Sequence, residues 1–590
     1  MEQTEDWTRT RLLMARVGAA GGFSLWWLTA ELPSLLGHDR LEMFLTLAVL
    51  SFFVHVMALT GPIQLSRALA PAAGLAVTIA GLTIWGSLRF PSAADFIEAG
   101  HPMVALAMIY LVGTPFLSVM LEYGRGAWRD YAALFQTAWG ILVRFAAAGL
   151  FTGVFWGVLY LSDALLSLVG IDAIERMIRV DAVPFVLTGT VLGLALAVAH
   201  EWKDYVSPHL LLRLLRLLVP MVVPVLALFL LAVFVTGLDE VLNFTSETAT
   251  LTAVAIGCIT LITVSVDRDG FHQVFAWPMR WGVKALAVMV VPLAVLAVWG
   301  IGVRVLTYGW TPERVLAALS VGMVMLYGLA YAPLVLWPGD WGARVRGVNI
   351  GMALLSLVLA VLWLTPILNA ERLSAQSQLA RIAAGRVAPE NAALWEMAHR
   401  WGLPGRAALA QLSDVSDLPQ RDRVLELAAK ANAKASRYEY NDDQRQATPA
   451  EQAGQLAELI PLRPEGVGLP GGAFGKLPEY LIAQIRQGCS MTFEDGSPGC
   501  VYLEVAFRPD LQMQQGVILF RTANNRAEAL AVRLNGDMLE RDGDLRNLPD
   551  GRWVNLKALV IKRVLDGAYA IAPAQVNALH IGDLILFPDN

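Results

Sequence analysis

The sequence carries little charge for its length. Of 590 residues, 16% are Asp, Glu, Lys or Arg, whereas a soluble chain of this size carries about a quarter. The deficit lies before Ala370, because charged residues are sparse there and dense afterwards. A formal net charge of -5 with no long basic tract leaves no footprint for nucleic acid, which we exclude as a partner. The missing charge indicates a chain that lies largely in a membrane.

Motifs for the common catalytic and metal-binding chemistries are also missing. The sequence has no Gly-x-x-x-x-Gly-Lys phosphate loop, Cys-x-x-Cys pair, His-Glu-x-x-His helix or nucleophile elbow. Its eight His residues are scattered and form no metal-ligand pair. We therefore expect neither a metal nor a cofactor, and the sequence favours a protein that is not an enzyme.

Long apolar runs fill the first two-thirds of the chain. A helix needs roughly 20 apolar residues to cross the hydrocarbon core, and eleven runs meet that length. They are 17–36, 41–60, 69–88, 102–121, 141–161, 183–200, 217–237, 249–266, 282–302, 315–337 and 347–368. Inside lipid such segments must be helices, because the backbone has no water to bond. The predicted fold class is mostly α, a polytopic helical membrane bundle at 1–368 followed by a small α+β domain outside the membrane.

The basic residues of the connections predict an orientation. Connections on the side of the N-terminus hold 14 Lys and Arg residues, and those on the opposite side hold 6. Cytoplasmic connections carry the excess of positive charge, so we expect a cytoplasmic N-terminus. With eleven spans, the C-terminal domain is then periplasmic. Because Arg outnumbers Lys and because Ala and Leu dominate, we expect a bacterial source, and hence the inner membrane with its lipid bilayer.

The part after the last span has two predicted regions. Residues 369–475 read as a helical juxtamembrane region and a linker that is rich in Pro and Gly, and 476–590 as a β-rich soluble domain. Asn535-Gly536 suits a tight hairpin between two strands, and Asp566-Gly567 suggests a second hairpin. The strands predicted around these turns are 529–534, 538–541, 560–565 and 569–571.

The cysteines give evidence on the orientation that does not depend on the basic residues of the connections. Cys489 and Cys500 flank a segment with Asp-Gly and Pro-Gly turns, which can bring the two sulfurs together. Disulfides persist in the periplasm and not in the cytosol. We therefore predict a Cys489–Cys500 disulfide in a periplasmic domain, with two unrelated thiols as the alternative.

Motifs just after the last span resemble those of a known bacterial family. They are Ser-Ala-Gln-Ser-Gln-Leu-Ala-Arg at 374–381, Gly-Arg-Val at 385–387, Arg-Trp-Gly at 400–402 and Gly-Arg-Ala-Ala-Leu at 405–409. The chain resembles the domain of unknown function 4153 family of multi-spanning membrane proteins, which shares its layout of many spans before a soluble part. The resemblance implies an envelope membrane protein and carries over no activity or site residue.

A few polar residues are weak candidates for function. Asp39 and the pair Asp239-Glu240 lie in predicted external connections, where a carboxylate could act as a general base or bind a cation. Solvation of a short loop is the simpler interpretation. His55 is the deepest ionisable residue of the spans, and a lone His in a bundle is more often a hydrogen-bonded packing residue.

Three functions stay open at this stage. The first is an envelope-associated binding or scaffold protein that uses its periplasmic domain to recognise an envelope protein or a lipid-linked partner. The second is a transporter or flippase, which would depend on His55 or on a span kinked by Pro. The third is a lipid-linked glycosyltransferase-like enzyme, which would depend on Asp39 or on Asp239 and Glu240. The absence of catalytic motifs favours the first.

Overall fold

The computed structural model of the chain divides into two compact units, Met1–Arg437 and Tyr438–Asn590. The helices that directly follow the last span therefore belong to the same unit as the spans. The residues that the structure describes are 2–60, 63–201, 208–236, 247–267, 277–415, 417–444, 449–493, 495–509, 511–522, 526–542, 556–572, 579–581 and 584–586.

Ten helices among the described residues are long and apolar enough to cross a membrane. They are Asp39–Leu59, Leu65–Ser87, His101–Tyr123, Tyr131–Ser167, Ala182–Glu201, Leu211–Val235, Thr248–Val266, Trp277–Tyr308, Pro312–Leu336 and Trp341–Trp363. The predicted class of a many-span helical bundle is confirmed, and the predicted eleven spans exceed these ten by the N-terminal one.

Short polar side chains fix the starts of several spans. Asp130 accepts a hydrogen bond from the Ala133 amide at 3.2 Å, and Asp340 accepts one from the Ala343 amide at 3.0 Å. Thr311 does the same for the Arg314 amide at 3.3 Å. Each bond satisfies a donor that the first turn of a helix leaves without a partner. The connections thus define where these spans begin.

The predicted first span lies in a long N-terminal helix. Glu2–Trp26 continues through a π-helical turn, Trp27–Glu31, into Leu32–Leu36. This helix packs antiparallel along Ala182–Glu201, since its residues approach that span in reverse order. It therefore lies alongside a membrane span, although it is not one of the ten helices selected by length and hydropathy.

Glycines bring these two helices into backbone contact. A Cβ atom on Gly18 would lie 1.9 Å from the Gly189 carbonyl oxygen, and a Cβ atom on Gly189 would lie 2.1 Å from the Gly18 oxygen. Gly22 and Gly193 meet the partner backbone just as closely. Membrane helices associate through such small residues, because neighbouring lipid offers no hydrophobic drive and close packing must supply the attraction.

Several connections of the bundle meet at one end, which we call the cap end. Arg40 donates to the Phe90 carbonyl oxygen at 2.8 Å, and Asp39 accepts from the Ala93 amide at 2.7 Å. The connection at 309–311 lies at the same end. Its Trp310 carbonyl oxygen accepts a hydrogen bond at 3.1 Å from the side chain of Gln378, which belongs to the first helix after the last span. The chain also leaves the last span here.

Four helices beyond the last span pack on the cap end, and we call them the cap helices. They are Ala370–Ala383, Leu394–His399, Gly402–Gln411 and Arg421–Ala433. Asn369 begins the first of them by accepting a hydrogen bond from the Arg372 amide at 2.8 Å. Other short helices of this unit are Ala93–Glu98, Arg125–Arg129, Ala173–Ile178, Pro389–Asn391 and Leu412–Asp414. Pro208–Arg216 leads into the span Leu211–Val235, whose main helix is Val219–Thr236.

The second unit contains a mostly antiparallel sheet. Its strands, labelled β1 to β6 in chain order, are Leu462–Arg463, Cys500–Glu504, Gln515–Thr522, Arg526–Asn535, Met538–Arg541 and Leu556–Lys557. The strands lie in the order β1-β2-β3-β4-β5, and β6 pairs with β4. Among the described strand pairs of this sheet, only β1 and β2 are parallel. A separate hairpin joins Leu579–Ile581 to Leu584–Leu586. The helices are Arg437–Gln444 at the unit boundary, Pro449–Leu459, Ala473–Lys476, Glu479–Ser490 and Leu559–Leu565.

Helices cover both faces of this sheet. Tyr502 and Ile518 point to the face where Ile485 of helix Glu479–Ser490 packs, and the alternate residues Val501 and Val517 pack with helix Leu559–Leu565 on the other face. Successive side chains of a strand point to opposite faces. The strands read as continuous apolar runs because both faces are buried.

Two local predictions for this unit have opposite outcomes. The Asn535-Gly536 hairpin is confirmed, with Gly536 at a φ of 66° between β4 and β5. The predicted strand at 560–565 is wrong, because Leu559–Leu565 is a helix. Its buried residues Ile561 and Val564 are three positions apart, a helical spacing that a short apolar run conceals.

Replacing Gly189 by Ala should destabilise the membrane domain. The added methyl group has no room against the Gly18 carbonyl oxygen, so the two helices must separate. Overpacking of this kind costs about 1–3 kcal/mol. Thermal unfolding of the purified protein in detergent measures the effect.

Gly153→Ala is the matched control, since it lies in a membrane helix with open space around its Cβ position. This variant should unfold at the wild-type temperature or slightly above it, because Ala is the better helix former. Equal melting temperatures for the two variants would contradict the close contact between the helices.

Candidate functional site

Asp39 is the one described member of the three carboxylates that the sequence suggests for catalysis. Asp39 accepts hydrogen bonds from the amides of Ala93 and Arg40, at 2.7 and 2.8 Å, and so joins two connections. Asp239 and Glu240 fall outside the described residues. The catalytic roles suggested for these three carboxylates stay predictions.

His55 is completely buried in the bundle. Its Nδ1 atom lies 2.6 Å from the Ser51 carbonyl oxygen, which fixes the proton on Nδ1. The ring stacks on Tyr110 with the centroids 5.0 Å apart, and Tyr110 in turn contacts the Ser51 hydroxyl. These contacts are what a packing residue makes, and any role of His55 in transport stays a prediction.

The two cysteines of the second unit form a disulfide, as predicted. Cys489 ends helix Glu479–Ser490 and Cys500 begins β2, with their Cα atoms 4.6 Å apart. The bridge ties the helix to the sheet that it covers. Cys258 is a buried free thiol in a span.

A buried ion pair lies at the cap end, where sequence reasoning placed no site. Arg89 follows span Leu65–Ser87, and Glu371 opens the first cap helix. The Arg89 Nη1 atom donates to Glu371 Oε2 at 3.1 Å, and the two side chains are 7% and 0% exposed. Burial lowers the pKa of Arg89, and the charge of Glu371 opposes that shift. Both groups are thus held away from water.

Backbone oxygens complete the surroundings of Arg89. Its guanidinium donates to Trp363 O at 3.0 Å, Gly86 O at 3.2 Å and Leu368 O at 3.4 Å. These carbonyls come from the ends of two spans and from the connection to the cap. Charge-assisted hydrogen bonds of this type offset the cost of burying the ion. Arg89 therefore fastens the last span to an earlier one.

The backbone of Arg89 also holds a cap helix. Its carbonyl oxygen accepts a hydrogen bond from the Leu403 amide at 2.8 Å. Gly402 makes this approach possible, because its φ is +56° and a Cβ atom there would lie 2.4 Å from the same oxygen. The cap helix Gly402–Gln411 thus starts directly on the end of the bundle.

His101 joins the ion pair to a cavity. The Trp363 indole donates to His101 Nδ1 at 3.2 Å, so the Nδ1 atom accepts and the ring proton lies on Nε2. That atom faces Glu371 Oε1 at 3.5 Å. The Trp363 indole thus fixes the ring of His101 as a wall of the cavity.

The cavity lies between the cap end and the cap helices and has a volume of about 220 Å³. Most of its lining is polar or aromatic. The residues around it are Asp95, Glu98, Ala99, His101, Pro312, Glu313, Trp395, His399, Arg400, Trp401, Arg406 and Ala435. Three carboxylates and two guanidinium groups thus surround a space that can hold a small molecule.

Several lining side chains are held in place by backbone groups. The Trp395 indole donates to the Lys434 carbonyl oxygen at 3.1 Å, and His399 Nε2 lies 2.8 Å from the Ala431 carbonyl oxygen. Arg406 Nε donates to Ala398 O at 3.1 Å. Trp395 and His399 also stack at 5.0 Å. The cap wall of the cavity is therefore ordered before any ligand arrives.

No metal site accompanies this cavity. Among the described residues, no group of three or more His, Cys, Asp or Glu side chains could hold an ion. The carboxylates of the cavity come from separate elements, Asp95 and Glu98 from helix Ala93–Glu98 and Glu313 from the start of a span.

Sequence reasoning missed this site because its parts are distant in the chain. By sequence, Arg89 is only one of the basic residues of the predicted external connections, and Glu371 has no predicted role. The available signal was an Arg directly after one apolar run and a Glu directly after the last run. Neither residue forms a motif with its sequence neighbours, so the pairing emerges only from the fold.

The chain was compared with models of known protein families. A family model described as a domain of unknown function, DUF4153, matches residues 42–396. The chain belongs to this family. The matched region contains Arg89, His101 and Glu371 and ends in the cap helices, so the DUF4153 domain includes both partners of the buried ion pair. No curated protein and no solved structure matches the chain.

Removing one partner of the buried pair should destabilise the protein strongly. Arg89→Met leaves the Glu371 carboxylate buried without its partner, and Glu371→Gln does the same to the Arg89 guanidinium. Leaving one charge of a buried pair unpaired lowers the free energy of unfolding by about 3–5 kcal/mol. The double variant should lose less stability than the two single variants lose in sum, because it leaves no buried charge without a partner. Unfolding of the purified protein by a denaturing detergent measures all three.

Glu426→Gln is the control, since this side chain is exposed on the cap helix Arg421–Ala433 and its ion pairs are solvated. It should unfold close to the wild type. Strictly additive losses for Arg89→Met and Glu371→Gln would show that the two residues are not coupled.

Proposed function

We propose that this DUF4153 protein is an inner-membrane binding protein of bacteria that takes up a small polar ligand at its extracytoplasmic end. The observation that carries the proposal is the ordered cavity of about 220 Å³ between the bundle and the cap helices. Binding sites are concave and place a few polar groups at fixed positions. The ligand belongs to the envelope, as a free solute or as part of a lipid-linked molecule.

The basic residues of the connections support this orientation. The connections at the cap end hold 6 Lys and Arg residues, and those at the opposite end hold 14. Positive charge gathers on the cytoplasmic side of membrane proteins. The cap end, and the cavity with it, is then extracytoplasmic.

The disulfide supports the same side. The Cys489–Cys500 bridge lies in the part of the chain that follows the last of the ten helices long and apolar enough to cross a membrane. A periplasmic location explains why the two thiols are oxidised.

Two imidazole rings of the lining are held by protein groups. His101 Nδ1 accepts a hydrogen bond from the Trp363 indole, and its Nε2 atom faces Glu371 Oε1 at 3.5 Å. His399 donates through Nε2 to the Ala431 carbonyl oxygen. These contacts fix both rings as walls of the cavity, which supports a site built to bind.

Impermeant maleimide should label a cysteine at the cavity in intact cells. Ala435→Cys in a Cys258→Ser background places one reduced thiol at the exposed rim of the cavity. Labelling without permeabilisation is expected, because the cap end faces the periplasm. The native disulfide does not react, since it has no free thiol.

Gly126→Cys in the same background is the matched control at the opposite end. This exposed position lies between spans His101–Tyr123 and Tyr131–Ser167. Its thiol should react only after the cells are permeabilised. The reverse labelling pattern would refute the extracytoplasmic location of the cavity.

Filling the cavity should remove a bound molecule. Ala435→Trp places an indole at the rim, where the exposed backbone tolerates a large side chain. Small molecules extracted from the purified protein are quantified by mass spectrometry. We expect a compound that accompanies the wild type in near-equal molar amount and that the Ala435→Trp variant lacks.

Ala433→Trp is the control, since Ala433 is exposed on the same segment but does not line the cavity. It should retain the compound. If no compound is lost specifically from Ala435→Trp, the cavity is not a binding site under these conditions of growth and the proposed function fails.

A further inference from the structure

The charges of the cavity are divided between its two sides. The side formed by the bundle carries the carboxylates of Asp95, Glu98 and Glu313. The side formed by the cap helices carries the guanidinium groups of Arg400 and Arg406. The acidic residues belong to helix Ala93–Glu98 and to the start of the span Pro312–Leu336, whereas the basic residues belong to the segment after the last span.

The opposite charges do not neutralise each other directly. None of the five residues makes an ion pair, although all five lie in the described part of the chain and line one cavity. The Arg406 side chain is instead tied to the Ala398 carbonyl oxygen through Nε, which leaves its other donors free. The two sets of charges thus face one cavity without pairing across it.

We propose that the cavity binds a small zwitterion that carries an ammonium group and a phosphate or carboxylate group. The ammonium group meets the carboxylates of the bundle side, and the anionic group meets the guanidinium groups of the cap side. Arg recognises both phosphate and carboxylate through paired donors. This inference rests on the proposed function, since it names the ligand class of the same cavity.

Ligands of one charge are rejected by the same arrangement. A simple anion gains contacts with Arg400 and Arg406 but lies close to three carboxylates. A simple cation gains contacts with the carboxylates but lies close to two guanidinium groups. Like charges brought together in this way supply selectivity against the wrong ligand. Only a molecule that carries both charges at a fixed separation satisfies both sides.

The volume agrees with this class. Trp395 and Trp401 line the cavity on the side of the cap helices and narrow the space beside the guanidinium groups. A volume of about 220 Å³ is below the roughly 300 Å³ at which pockets for drug-sized ligands begin. The ligand is therefore the size of an amino acid or of a phosphoethanolamine headgroup. Free solutes and membrane lipids both supply this chemistry.

Calorimetric titration of the full-length protein tests the ligand class. The protein is placed in nanodiscs of phosphatidylglycerol and titrated separately with phosphoethanolamine, glycine, ethanolamine and inorganic phosphate. We expect at least one of the two zwitterions to bind with a Kd at least tenfold lower than ethanolamine or phosphate. Tighter or equal binding of phosphate or ethanolamine would overturn the inference, and so would the absence of binding by both zwitterions at millimolar concentration.

Two charge-removing variants separate the two sides. Glu98→Gln should weaken the binding of the zwitterion and of ethanolamine at least tenfold and should not weaken the binding of phosphate. Arg400→Gln should weaken the binding of the zwitterion and of phosphate and should not weaken the binding of ethanolamine. Asp422→Asn and Arg386→Gln, both exposed and outside the cavity, are the matched controls and should bind as the wild type does. Zwitterion binding that is unaffected by Glu98→Gln and Arg400→Gln would overturn the inference.

The lipid environment identifies the source of the ligand. In nanodiscs of phosphatidylethanolamine, a lipid headgroup that occupies the cavity should raise the apparent Kd for phosphoethanolamine at least tenfold over the value in phosphatidylglycerol. An unchanged Kd assigns the cavity to a free zwitterion. If neither zwitterion binds while the Ala435→Trp variant still loses a co-purified compound, the cavity binds a ligand of another class and only this inference fails.

Discussion

The buried contact around Arg89 determines how the chain is organised beyond its last span. The guanidinium pairs with Glu371 at 3.1 Å, and the carbonyl oxygen of the same residue accepts from the Leu403 amide at 2.8 Å. Two cap helices are thus fixed to one residue of the bundle. A buried ion pair contributes little net stability, but breaking it is expensive. The contact therefore specifies one position for the cap helices, and without that position the cavity has no second side.

The chemistry of the cavity follows from the same constraint. Its carboxylates come from helix Ala93–Glu98 and from the start of a span, and its guanidinium groups come from Arg400 and Arg406 in the cap segment. Arg89 and Glu371 pair with each other in the interior, whereas these five charged residues form no ion pair. On the proposed function, the ion pair builds the site and the unpaired charges select the ligand.

Features with a local physical cause could be predicted from the sequence. The spans follow from the length of apolar runs, the β4–β5 hairpin from Asn535-Gly536, and the disulfide from the turns between its two cysteines. The helix Leu559–Leu565 was mistaken for a strand because a short apolar run fits both periods. The cavity could not be predicted, since Asp95, Glu313 and Arg406 belong to three distant segments and none of them carries a motif. The roles suggested for Asp39, His55, Asp239 and Glu240 stay predictions.

Amide hydrogen exchange at Leu403 tests the central claim most directly. Leu403 is the second residue of its helix, and amides of the first turn have no acceptor within the helix. Its protection therefore depends on the Arg89 carbonyl oxygen alone. Mass spectrometry with residue-level fragmentation of the full-length protein should show exchange far slower than in a free peptide of the same sequence. Exchange at the rate of the free peptide would contradict the docking of the cap helices on the bundle.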